Sequence, residues 1–112
     1  LPLLGICLGH QAIGIAAGWP LIESPLGAVH GVPEAVESDK GTLLMTRYHS
    51  LMLAPDEIQA SGDLRIVAND AATRTIPMAL THSSLPITSY QFHPESAGSV
   101  GGLDLLGQFL EQ

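Results

Sequence analysis

Residues 3–17 of the chain are LLGICLGHQAIGIAA. The apolar run at residues 3–8 is short and predicts a strand that is buried on both faces. Residues 10–17 predict a helix, because Ala12, Ile13, Ala16 and Ala17 recur at the spacing of one helical face. Gly18 and Pro20 then end the helix. The chain therefore opens with a strand, a sharp turn and a helix.

The remaining sequence contains more strand candidates than helix candidates. Short apolar or alternating runs predict strands at residues 21–23, 43–45, 65–68, 76–81 and 90–92. Proline and glycine predict a loop at residues 24–40, and polar residues predict a turn at 46–50. Apolar residues at helical spacing predict a last helix at residues 102–110. These patterns indicate a mixed α/β fold rather than a regular alternation of strands and helices.

Composition and charge exclude several classes of protein. The chain has 112 residues and a formal net charge of −7, with only four Lys and Arg residues. Those four do not cluster, which argues against a nucleic-acid partner. The most apolar stretch, residues 12–22, is interrupted by glycine and proline and is too short to cross a membrane.

Cysteine and histidine usage narrows the chemistry further. Cys7 is the only cysteine in the sequence, so an intrachain disulfide is impossible and a reducing cytoplasm is expected. The five histidines lack the spacing of a structural zinc site, so no metal is predicted.

The sequence Gly5-Ile6-Cys7-Leu8-Gly9 has the form of a nucleophile elbow in which sulfur replaces the serine oxygen. Such a turn places the nucleophile between a strand and a helix, and flanking glycines allow the strand and helix backbones to approach each other closely. The helix N-terminus favours the thiolate, and the N–H of Leu8 can face a developing oxyanion. A buried structural cysteine is the alternative interpretation of Cys7 taken alone.

A second motif lies well downstream, at Gln91-Phe92-His93-Pro94-Glu95-Ser96. His93 follows a predicted strand and can act as a base for a thiol, and Glu95 can accept the imidazole N–H. A surface histidine and a helix-start glutamate are the alternatives. The other histidines, His10, His30 and His82, are interpreted as structural, whereas His49 lies in a polar run that can line a pocket.

The two motifs together resemble those of the class I (triad) glutamine amidotransferases, and the resemblance covers nearly all of the chain. The runs Arg47-Tyr48-His49-Ser50-Leu51, His30-Gly31 and Leu85-Pro86-Ile87 are similar to the glutaminase components of anthranilate synthase and aminodeoxychorismate synthase. The resemblance implies a flavodoxin-like layered α/β fold with a mostly parallel sheet and an antiparallel extension. Residues 1–112 would be the C-terminal portion of the domain, which carries the triad. An N-terminal portion is expected to precede it.

The resemblance also implies a mechanism and a site. Cys7 would attack glutamine, His93 would act as base and acid, and Glu95 would orient His93. Leu8 would supply an oxyanion donor, and the residues that hold glutamine would be Gln11, Ser50 and Leu51. No cofactor is implied. Ammonia would pass to a chorismate-aminating synthase, either a separate subunit or a fused domain, in tryptophan or folate biosynthesis in the cytoplasm.

Two alternatives remain open at the level of sequence. One is another triad amidotransferase, such as the small subunit of carbamoyl phosphate synthase, although the run Arg47-Tyr48-His49-Ser50 argues against it. The other is a truncated, non-catalytic interaction module. The low content of charged residues in the chain, 13%, favours the interpretation as an interaction module. The presence of Cys7, His93 and Glu95 argues against it.

Overall fold

The computed structural model of the protein describes residues 2–25, 27, 29–38, 41–96, 99, 102 and 104–106. Within these residues the strands are β1 (Leu3–Ile6), β2 (Leu21–Glu23), β3 (Val29–Ser38), β4 (Gly41–His49), β5 (Leu51–Leu53), β6 (Leu64–Asp70), β7 (Pro77–His82) and β8 (Ile87–Tyr90). The helices are α1 (Leu8–Ala16) and α2 (Glu57–Ala60). The strand, sharp turn and helix predicted at the start of the chain are therefore confirmed. The prediction that the strand is buried on both faces is wrong, because β1 lies at the edge of the sheet and Leu3 is exposed. No helix among all the described residues is long and apolar enough to span a bilayer.

Six strands form one sheet in the order β1-β8-β7-β6-β3-β4, and β2 pairs with β5 in a separate ribbon. The predicted α/β fold class is confirmed. The balance of strand directions differs from the expected mostly parallel sheet. Among the described strands only β1 and β8 run parallel, and the other neighbours are antiparallel. Short connections join β3 to β4, β6 to β7 and β7 to β8, and such connections can join only antiparallel neighbours.

The loop predicted at residues 24–40 and the turn predicted at 46–50 are wrong over most of their length. Strands β3 and β4 instead pair along almost their whole length, with a bulge between His30 and Val32. The bulge accommodates a glycine that had indicated a loop. Strand β6 pairs only with Val36 to Ser38 of β3. Pro33 therefore lies where its missing N–H removes no bond to β6.

Two apolar clusters hold the sheet and helix together. One contains Met45, Met78 and Phe92, and the other contains Trp19, Leu53 and Leu80. Helix α1 approaches β5 so closely that a Cβ at Gly14 would collide with the Leu53 side chain. Helix α1 is thus closely packed against β5, and this packing restricts the position of the turn at its N-terminus.

The last predicted helix is only partly described. Residues 102 and 104–106 are helical, and Leu105 packs against the cluster that contains Met45. Residues 103 and 107–110 of that prediction lie outside the described residues.

Candidate active site

Cys7 stands at the turn between β1 and α1 in an unusual backbone conformation, with φ 53° and ψ −100°. Its N–H donates to the carbonyl of Tyr90 at 2.8 Å, and its carbonyl accepts from the N–H of Gln11 at 3.0 Å. These bonds tie the turn to the end of β8 and to the first turn of α1. A non-glycine residue at positive φ is strained by about 1–3 kcal/mol, and such strain is concentrated at functional sites.

The two glycines of the elbow have different roles. A Cβ at Gly5 would lie 2.7 Å from Ile13 Cδ1 and 2.8 Å from the carbonyl carbon of Gly9. A Cβ at Gly9 would meet nothing within 4 Å. The prediction that glycine permits close approach is therefore confirmed at Gly5 and wrong at Gly9, because the side of α1 that carries Gly9 is open.

The thiol of Cys7 is partly buried, and its pKa depends on this burial and on two neighbours, Leu8 and Glu95. Burial raises the pKa of the Cys7 thiol above its ordinary value, and the negative charge of Glu95 raises it further. The backbone N–H of Leu8 donates toward the sulfur and lowers this pKa. The structure thus brings the predicted donor and the predicted carboxylate to Cys7. The Leu8 side chain itself points away and is 77% exposed.

His93 and Glu95 lie just after β8, on the same edge of the sheet as Cys7. Nδ1 of His93 lies 2.7 Å from Oε1 of Glu95. This contact places the N–H of the neutral ring on Nδ1 and leaves Nε2 as the nitrogen that can exchange a proton with a nucleophile. The predicted contact between His93 and Glu95 is therefore present, and their roles as base and orienting carboxylate stay a prediction.

The backbone of His93 is held by β4 through a hydroxyl that sequence reasoning missed. The His93 N–H donates to the carbonyl of Thr46 at 2.8 Å. The return bond runs through Ser99, whose Oγ accepts from the Thr46 N–H at 2.8 Å and donates to the His93 carbonyl at 2.6 Å. No local motif marks Ser99, because its role depends on the position of β4.

A buried polar network leads from β5 to the sulfur. Nε2 of Gln11 donates to the carbonyl of Leu51 at 3.3 Å and to Oε1 of Gln91 at 3.2 Å. Nε2 of Gln91 lies 3.8 Å from Cys7 Sγ. Nδ1 of His49 lies 2.9 Å from the same Leu51 carbonyl. The structure thus joins two predicted glutamine-binding residues, Gln11 and Leu51, to the sulfur of Cys7.

Ser50 lies beside this network at the start of the β5 segment. Its side chain is exposed, and its carbonyl accepts from the N–H of Ser24 at 2.8 Å. The contact joins the turn after β4 to the residue that follows β2. The role of Ser50 in holding glutamine stays a prediction.

Two further histidines have structural surroundings. His10 is fully buried, and its Nδ1 lies 2.7 Å from Ser89 Oγ. Burial, with a smaller contribution from His49, lowers the pKa of His10 to about 4, so the ring is neutral at neutral pH. His82 caps a turn by accepting from the N–H groups of Ser84 and Leu85. The side chain of His30 lies outside the described residues.

No group of three or more His, Cys, Asp or Glu side chains in the described part of the chain lies close enough together to hold a metal ion.

The family model described as glutamine amidotransferase class-I matches residues 1–112. The chain belongs to the class-I glutamine amidotransferase family. The family predicted from the two motifs is therefore confirmed, and Cys7, His93 and Glu95 all lie within the matched residues.

Curated relatives of this amidotransferase chain include two synthase components. Anthranilate synthase component 2 of Mycobacterium tuberculosis is 40% identical over 97% of this chain and 48% of its own length. The aminodeoxychorismate/anthranilate synthase component 2 of Bacillus subtilis is 32% identical over 99% of this chain and 59% of its own length. The chain thus spans about half the length of the curated relatives it matches. The predicted similarity to this group is confirmed.

A solved structure supports the fold. The structure of a putative GMP synthase subunit from Thermoplasma acidophilum matches with a TM-score of 0.82 and 22% identity. The match covers 98% of this chain and 56% of the other. At this identity the likeness concerns the fold alone.

Proposed function

We propose that the chain is the triad-bearing portion of a glutamine amidotransferase domain that hydrolyses L-glutamine and delivers ammonia to a chorismate-aminating synthase. The observation that carries the proposal is the elbow at Cys7, where the Leu8 N–H meets the sulfur and the charge of Glu95 reaches the thiol. The relatives named as component 2 of anthranilate or aminodeoxychorismate synthase support the choice of partner. A cytoplasmic location stays a prediction.

The reaction follows from the groups around the sulfur. His93 takes the Cys7 proton as the sulfur attacks the carboxamide carbon, and the Leu8 N–H stabilises the resulting oxyanion. His93 then gives the proton to the leaving nitrogen, so ammonia departs and a γ-glutamyl thioester remains. His93 next removes a proton from water, which attacks the thioester. Collapse of the second intermediate releases glutamate and returns the proton to sulfur.

Glu95 and the amide network have supporting tasks in this scheme. The Glu95 carboxylate holds His93 in the productive tautomer and stabilises its protonated form. Both N–H groups of the Gln11 amide are used by Leu51 and Gln91, so its oxygen is the group left to accept from glutamine. Ser50 and Leu51 complete the proposed pocket.

The test compares two nitrogen sources in the full-length protein assembled with its anthranilate or aminodeoxychorismate synthase partner. Cys7→Ser is expected to abolish synthesis from glutamine and to leave synthesis from ammonium salt intact, because only the release of ammonia uses the thiol. Ser61→Ala, at an exposed position after α2, is the control and is expected to keep both activities. Glutamine-dependent synthesis that survives in Cys7→Ser would contradict the proposal. Loss of both activities would remove the assigned role of Cys7.

A further inference from the structure

We propose that the side-chain amide of Gln91 is a second hydrogen-bond donor to the Cys7 sulfur, held in its donating orientation by Gln11. Gln91 is fully buried, and its Nε2 lies 3.8 Å from Cys7 Sγ. Its backbone N–H donates to the carbonyl of Met78 at 2.8 Å, which anchors the residue to β7. A buried amide that follows β8 is therefore directed at the Cys7 sulfur, whereas the other donor, the Leu8 N–H, belongs to α1.

The orientation of the amide follows from the hydrogen-bond chain rather than from the shape of the side chain. The carbonyl of Leu51 can only accept, so Gln11 must present its NH₂ group to that carbonyl. The same nitrogen lies 3.2 Å from Oε1 of Gln91, and two NH₂ groups could not face one another there. Gln91 must consequently present its oxygen to Gln11 and its NH₂ group to the sulfur.

The chemical effect of this donor is to favour the thiolate over the thiol. A hydrogen bond to the charged form of a group stabilises that form, and it is stronger than a bond between neutral groups. The donor opposes burial and the charge of Glu95, which both raise the pKa of Cys7. Other titratable groups on the surrounding elements are Tyr90 at the end of β8, His93 after β8, His10 on α1 and His49 on β4. Gln91 is thus a positioning and activating residue for the nucleophile.

This inference rests on the proposed function of Cys7 as the nucleophile, and it extends the role of Gln11. A residue expected to hold glutamine also fixes the group that stabilises the sulfur. Replacement of Gln11 should consequently change the reactivity of the thiol in the absence of glutamine. A residue that acted on substrate alone would leave that reactivity unchanged.

The test measures the rate of alkylation of Cys7 by iodoacetamide against pH, without glutamine, in the full-length protein. Gln91→Met keeps the length of the side chain and removes the donor, and Gln91→Glu replaces the donor with a negative charge. We expect the thiol pKa to rise by about one unit in Gln91→Met, which lowers the alkylation rate near neutral pH about tenfold. A larger rise is expected in Gln91→Glu. Gln59→Met, in the capping box of exposed α2, is the matched control and should follow the wild-type profile.

Two results would overturn the inference. One is an unchanged pH profile in a Gln91 variant that retains the wild-type melting temperature. The other needs no variant and follows the NMR resonances of the Gln91 side-chain NH₂ group against pH in the wild-type protein. These resonances should change with the same midpoint as the titration of the Cys7 thiol. Resonances that stay fixed would contradict the contact. Absence of glutaminase activity from the wild-type protein would instead count against the proposed function. The alkylation rate can still be measured in that case, because it does not depend on turnover.

Discussion

Nδ1 of His93 lies 2.7 Å from Oε1 of Glu95, two residues further along the chain. Buried Pro94 stands between them, and its fixed φ restricts the turn that brings the two side chains together. The pair lies next to a thiol whose pKa is already raised by burial and by the Glu95 charge. The carboxylate must therefore act mainly through the imidazole, because its direct effect on the sulfur opposes formation of the thiolate.

Replacing Glu95 by glutamine is expected to lower turnover of glutamine more than it lowers affinity. The amide cannot balance the imidazolium that forms during the reaction, so kcat should fall by about 10²–10⁴-fold while KM changes little. Steady-state glutaminase kinetics measure both quantities. Glu57→Gln, at the exposed first turn of α2, makes the same chemical change remote from Cys7 and should be silent. A rise in KM with unchanged kcat would contradict the orienting role.

The hydroxyl of Ser99 is expected to affect catalysis through the backbone of His93. Ser99→Ala removes the second of the two links between Thr46 and His93 and leaves the direct backbone bond, so His93 should shift and kcat should fall by about 10–10²-fold. Ser99→Thr keeps the hydroxyl and should restore most of the activity. Ser61→Ala, which removes an exposed hydroxyl bonded to the Ile58 carbonyl, is the control. An equal loss in the alanine and threonine variants would indicate a steric effect instead.

Local patterns were sufficient to predict the turn at Cys7 and the contact between His93 and Glu95, but not the surroundings of these residues. Gly5 and Cys7 indicate the elbow within a few residues, and His93 and Glu95 are close in sequence. The contact between Gln91 and Cys7 joins residues 84 positions apart, and no spacing rule marks it. Its existence depends on the parallel pairing of β1 with β8.

Strand β3 shows the opposite case, in which tertiary pairing overrides local signals. Gly31 and Pro33 are typical of a loop, yet β4 pairs with the strand on both sides of them. A bulge takes up the irregularity near His30, and the limited extent of β6 leaves room for the proline. These compensations are invisible before the neighbouring strands are known. The balance between parallel and antiparallel pairs could not be read from the sequence for the same reason.

The two elbow glycines are expected to respond differently to alanine. Gly5→Ala places a methyl group 2.8 Å from the backbone of Gly9, which can move only if α1 moves, so the free energy of unfolding should fall by about 1–3 kcal/mol. Gly9→Ala meets open space within a helix and should keep or raise this free energy by up to about 1 kcal/mol. Urea unfolding measures both variants. Equal destabilisation would contradict the described approach of β1 and α1.

His10 is expected to make stability fall in mild acid. Its pKa is lowered to about 4 in the folded protein by burial first and by His49 second, from an ordinary value of 6.5. Between these values the unfolded chain binds a proton that the folded protein does not, so stability declines as pH falls from 6.5 towards 4. The contribution lost between pH 7 and pH 5 is about 2 kcal/mol. Urea unfolding of His10→Asn should show a shallower decline than the wild-type protein, and identical declines would contradict the assignment.

The strained backbone at Cys7 is expected to lower the free energy of unfolding, and replacement of Cys7 by glycine is expected to relieve the strain. At φ 53° a side chain is strained by about 1–3 kcal/mol, and glycine relieves this at an entropic cost of about 0.5–1 kcal/mol. Cys7→Gly should therefore unfold at higher urea than Cys7→Ala, by about 1 kcal/mol in the free energy of unfolding, although both variants lack the thiol. Ala12→Gly, at an exposed position with ordinary helical geometry in α1, should change stability in the opposite direction by about 1 kcal/mol. If Cys7→Gly were less stable than Cys7→Ala, the elbow would not be strained, and its conformation would not reflect a demand of the nucleophile.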